Sequence, residues 1–110
     1  MRDILNEVPH IRGILTCELR IQGNEGILEL GLDKLKTMLS QCQKELEIKY
    51  GSWEKAGDPL VSLITDMDDL SHIILDKKDD FPTNVRIYLC DSLAYKLDKF
   101  AGRWSESEIE

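Results

Sequence analysis

The hydrophobic period of residues 4–31 changes twice, and nothing else in the chain constrains the fold as strongly. Ile4, Leu5 and Val8 lie at helical spacing, and Pro9 ends that pattern. Leu15, Cys17, Leu19 and Ile21 then recur at every second residue, alternating with Thr16, Glu18, Arg20 and Gln22. The segment 22–26, which carries Gly23 and Gly26, interrupts the run. Leu28, Leu30 and Leu32 resume it. A period of two gathers apolar side chains on one face of a strand, and a glycine-bearing loop lets the chain reverse. The region reads as a short helix, a β-hairpin and then a new helix from about Asp33.

Further along, Leu32, Leu35, Met38, Leu39, Cys42 and Leu46 fall on one helix face. Asp33 stands where a cap would, and Gly51 where a stop would. Residues 51–59, with Trp53, Gly57 and Pro59, read as a loop. The stretch 60–77 supports two readings. As strands, 60–65 and 70–75 are joined by the acidic turn Asp66-Met67-Asp68-Asp69. As a helix, Asp58 is the cap, Pro59 the first helical residue, and Leu60, Leu63, Ile64, Met67 and Leu70 the buried stripe. Strands are preferred, because an isolated two-stranded hairpin is marginal in water and needs sheet partners. Phe81-Pro82-Thr83 opens a last helix, with Ile87, Cys90, Leu93, Ala94, Leu97, Phe100 and Ala101 inward and Gly102 as its stop. The expected organisation is one domain over 1–104 and a flexible acidic tail over 105–110.

With 110 residues, 42% hydrophobic and 32% charged, the chain has the composition of one globular domain. A net charge of -7 argues against nucleic-acid partners and anionic membranes, which attract clustered Lys and Arg. No apolar run reaches the ~20 residues of a membrane span. The amphipathic, acidic N-terminus does not resemble a signal peptide. Cys17, Cys42 and Cys90 sit inside apolar patterns, as small core residues of a reducing cytoplasm would.

The order α, β, β, α, strands, α, together with local sequence, resembles the roadblock family of dynein light chains and small-GTPase regulators. Residues 4–15 (ILNEVPHIRGIL) resemble its opening helix and entry into the first strand, and 24–28 (NEGIL) its hairpin turn. Residues 75–78 (LDKK) with 84–89 (NVRIYL) are similar to its last strand, loop and final helix. The resemblance implies an α+β fold with a single antiparallel sheet in the order α-β-β-α-β(β)-α, roadblock/longin-like. It also implies pairing of two protomers, identical or related, through the middle helix and an edge strand. Thr37, Gln41, Lys44, Glu45 and Ile48 on that helix and Val61 and Leu63 on the strand are then the interface. The implied function is a non-enzymatic dimeric module that scaffolds or regulates a small Ras-like GTPase or a motor or membrane-associated complex. Arg12, Arg20, Arg86 and Arg103 are the candidates for an inserted arginine.

No chemistry of another kind stands out. His10 and His72 are isolated, no closely spaced Cys or His pair offers a zinc site, and no phosphate loop surrounds Gly23 and Gly26. The carboxylates Asp66, Asp68, Asp69, Asp76, Asp79 and Asp80 lack the calcium-loop pattern and read as solvated. Trp53 and Trp104 either anchor a partner or cover core edges. No catalytic residue, metal or cofactor is expected. The alternative, in which 58–76 is a helix, is a small acidic all-helical inhibitor or regulator that binds a basic protein surface.

Overall fold

The computed structural model describes residues 6–17, 25–77 and 82–109. Four helices follow one another: α1 (Val8–Thr16), α2 (Glu25–Tyr50), α3 (Asp58–Lys77) and α4 (Thr83–Ile109), with a short 3₁₀ turn at Trp53–Ala56. Among the described residues there is no strand. The α+β class and the roadblock/longin-like sheet are therefore corrected to an all-helical fold.

Pro9 marks the first correction. It lies in the first turn of α1 rather than closing an earlier helix. The first turn tolerates proline because its N–H groups have no helical acceptor anyway. Val8, Ile11 and Leu15 then fall on one face at spacings of three and four, and all are buried. Leu15, expected to begin a strand, is the last core residue of this helix. The expected strand residues 18–22 and most of the hairpin loop lie outside the described residues.

Leu30 decides the second half of the expected hairpin. On a strand it would share a face with Leu28 and Leu32. Instead it is 51% exposed while its two neighbours are buried. The buried series Leu28, Leu32, Leu35, Met38 or Leu39, Cys42 and Leu46 is one unbroken helical stripe. Helix α2 thus begins eight residues before Asp33, with that residue inside it. It ends where expected: Gly51 takes φ +87° and its N–H bonds the Glu47 carbonyl at 2.8 Å. A left-handed residue at this point costs glycine little.

The stretch 58–77 is a single helix, so neither expected strand exists there. Leu60, Ile64, Met67, Ser71 and Ile74 are buried at spacings of four, three, four and three. The supposed acidic turn is a helical segment with Met67 inward and Asp66, Asp68 and Asp69 toward solvent. In α4, Cys90, Leu93, Ala94, Leu97 and Phe100 line the core. Gly102 does not stop the helix, which continues through Trp104, fully buried and stacked on Phe100 at 5.8 Å, to Ile109. The segment expected to be a flexible tail is helical as far as that residue.

Each helix packs on its neighbours in sequence, and α1 closes the ring against α4. This arrangement is an elongated bundle, 42 × 21 × 18 Å. Three ion pairs each tie a different pair of elements. Arg12 Nε donates to Asp98 Oδ2 at 2.8 Å between α1 and α4. Lys34 Nζ reaches Glu7 at 3.4 Å between α2 and the start of α1, and Lys96 Nζ reaches Asp66 at 3.2 Å between α4 and α3.

Candidate functional site

The outward seam between α3 and α4 carries the most developed surface feature. Helices joined by a short connection run antiparallel, so position 73 of α3 lies level with 88 of α4, 66 with 96, and 59 with 102. Along α3, residues 59, 62, 63, 66, 69, 70 and 73 recur every three or four positions. Along α4 the matching series is 88, 89, 92, 95, 96, 99, 102 and 103. Two parallel stripes of this kind leave a groove between them.

The groove has two linked parts. One, of about 580 Å³, lies between Pro59, Ser62 and Leu63 on one wall and Tyr95, Lys99, Gly102 and Arg103 on the other. The second, of about 360 Å³, lies between Asp69, Leu70 and Ile73 and Tyr88, Leu89 and Ser92. The Asp66–Lys96 ion pair spans the groove where the parts meet. Of the five large apolar or aromatic side chains exposed among the described residues, three stand here: Ile73, Tyr88 and Tyr95.

Charge is distributed unevenly along this feature. Lys99 and Arg103 lie toward one end, and the Lys99 ammonium rests 4.8 Å above the Tyr95 ring. Asp69 lies toward the other, with Asp76 one helical step beyond Ile73. On the outer edge of α3, Asp68 and His72 approach at 3.5 Å.

The expected interface residues divide between two helices. Thr37, Gln41, Lys44 and Ile48 are solvent-facing on α2, where Thr37 Oγ1 donates to the Asp33 carbonyl, and Glu45 is half-buried. Val61 and Leu63 lie on α3, not on an edge strand, and Leu63 packs against the core while lining the groove. The groove itself was not read from sequence. Its signal was the α4 series Tyr88, Tyr95, Lys99, Arg103 at spacings of seven and four, opposite the inward stripe.

The remaining candidates separate. Arg12 is engaged with Asp98, which holds its guanidinium pKa above the ordinary arginine value by hydrogen bonding and then by charge. Arg86 is half-buried and Arg20 lies outside the described residues. His10 is exposed on α1 and His72 on α3. Cys42 and Cys90 are core residues, and the Cys17 thiol donates to the Ile14 carbonyl at 3.1 Å. Trp53 is half-buried against the core. Among the described residues no cluster of three His, Cys, Asp or Glu is placed to hold a metal. Asp79 and Asp80 lie outside them. No described helix is long and apolar enough to cross a membrane.

Comparison with family models, with curated proteins and with solved structures finds no match for this chain.

Proposed function

We propose that this protein is a non-catalytic, all-helical interaction module that regulates another protein by binding its basic surface. The excess of 21 acidic over 14 basic residues supports the sign of the partner. The observation that carries the reading is the outer edge of α3, where Asp68, His72 and Asp76 follow one another at four-residue spacing and face solvent. Four-residue spacing aligns the groups along one side of a helix, so a single basic element of a partner meets both carboxylates. The GTPase association was implied by a sheet-containing fold, and the helical fold supports the acidic-regulator reading better.

Capture from native extract tests the reading, comparing wild type with Asp68→Asn/Asp76→Asn at low and high salt. The wild type is expected to retain a basic protein that salt releases, with the variant retaining several-fold less. Equal retention by both chains, or retention indifferent to salt, overturns it.

A further inference from the structure

We infer that the α3–α4 groove is where two copies of this chain pair, face to face and antiparallel, about a twofold axis crossing the groove at the Asp66–Lys96 pair. This inference is independent of the basic partner, which meets the outer edge of α3.

Three observations single out a second copy as the occupant. First, apolar surface is concentrated here: Ile73 is 44% exposed, Tyr88 69% and Tyr95 60%, over a floor that includes Leu63 and Leu70. Covering such side chains is favourable in proportion to the apolar area removed from water. Second, the charges suit self-pairing. The centre is already neutral, because Lys96 and Asp66 compensate one another. The ends are opposite in sign, with Lys99 at one and Asp69 at the other. A twofold axis through the centre lays the cationic end of one copy over the anionic end of the other, twice over. A parallel pairing stacks like charges on like. An isologous interface requires this self-complementarity.

Third, the dimensions suffice. From Pro59 to Ile73 the groove runs roughly 21 Å at about 1.5 Å per residue. It lies on a bundle measuring 42 × 21 × 18 Å. The whole broad face that contains it measures roughly 900 Å², enough for the about 800 Å² per partner of a standard interface when the contact extends past the groove.

Sedimentation equilibrium of the full chain at about 50 µM tests the inference. Dimer is expected, and Ile73→Glu/Tyr88→Glu is expected to shift it to monomer with unchanged helical circular dichroism, since both side chains project into solvent. Lys99→Glu alone and Asp69→Lys alone are each expected to raise the dimer Kd at least about tenfold. Together, Lys99→Glu/Asp69→Lys is expected to recover most of that loss, because the ends exchange sign and remain complementary. A wild-type monomer, or a dimer indifferent to Ile73→Glu/Tyr88→Glu, overturns the groove as the interface. A charge-swapped chain no tighter than either single variant overturns the antiparallel pairing.

Discussion

Gly31 and Ile14 pack α1 tightly against α2: a Cβ on Gly31 would stand 2.7 Å from Ile14 Cγ2 and 3.2 Å from Ile14 Cβ. The contact gives this glycine a packing role inside a helix, where glycine otherwise costs stability. Alanine would gain roughly 0.5–1 kcal/mol of helix propensity at such a position. Here it meets a branched side chain whose Cβ moves only with the backbone. Overpacking of this kind costs about 1–3 kcal/mol, so the clash outweighs the propensity. Gly31→Ala is therefore expected to lower the urea midpoint. Gly13→Ala, with nothing within 4 Å of its added methyl, is expected to raise it by the propensity gain alone. A stabilised Gly31→Ala would show that α1 does not lie on α2 as described.

Trp104 is the largest fully buried side chain, and it sits beyond the glycine at which helix α4 was expected to stop. Trp104→Ala is expected to cost about 3–5 kcal/mol. That is a large share of the roughly 5–15 kcal/mol available to a domain of this kind. Chemical denaturation measures the loss. Fluorescence checks the burial independently, since quenching by iodide is expected to reach half-buried Trp53 and spare Trp104.

Ser71 is the one buried polar residue among those described, and its hydroxyl donates to the Asp68 carbonyl at 2.8 Å. A carbonyl inside a helix already accepts a ladder hydrogen bond, so removing the hydroxyl leaves no buried group unsatisfied. Ser71→Ala is expected to change stability by less than about 0.5 kcal/mol in equilibrium unfolding, helped by alanine's better propensity. A loss several times larger would point to a second role for the hydroxyl.

The Arg12–Asp98 pair gives a clear pH expectation. Its arginine pKa is raised in the folded chain. A raised folded pKa contributes stability that is complete below the unfolded value and is lost only as pH climbs through the folded one. Both values lie beyond the working range, so Arg12 keeps its charge between about pH 6 and about pH 9. The stability difference between wild type and Arg12→Gln is expected to be small, because the pair is exposed, and flat across that window. Thermal melts at several pH values measure it. A difference that disappears within the window would assign the titration to another group.

Backbone chemical shifts across α3 distinguish helix from strand residue by residue. Ile64, Met67, Ile73 and Ile74 are expected to carry helical shifts in one continuous run, with sequential amide contacts through Asp66-Met67-Asp68-Asp69. Extended shifts on either side of a turn at those aspartates would restore the two-strand reading and remove the groove with it.

Legibility differed sharply between segments. From Leu32 to Leu46 and from Cys90 to Phe100 the apolar residues are spaced by three and four over several turns. That pattern fits one face of a helix and no strand, so the core positions there could be read directly. Gly51 was legible for a similar reason, since only a backbone with positive φ needs glycine at that place. Leu28, Leu30 and Leu32 are different. Three leucines at alternate positions satisfy a strand, and two of them satisfy a helix with the third outside. Leu30 exposed beside buried Leu28 and Leu32 is a fact about neighbours, not about spacing. The groove was illegible because it requires knowing that positions 73 and 88 face each other across a helix pair.

The sequence by itself determined which residues are inward wherever a pattern ran long enough, because side-chain direction follows from backbone period. It did not determine the conformation of the short segments. A nine-residue helix such as α1 and an isolated hairpin are both marginal in water, so neither is chosen by local energetics. Packing chose between them. Ile11 and Leu15 are buried, Gly31 admits Ile14, and Arg12 reaches an aspartate 86 residues away in the chain. Those contacts exist only once four helices stand together.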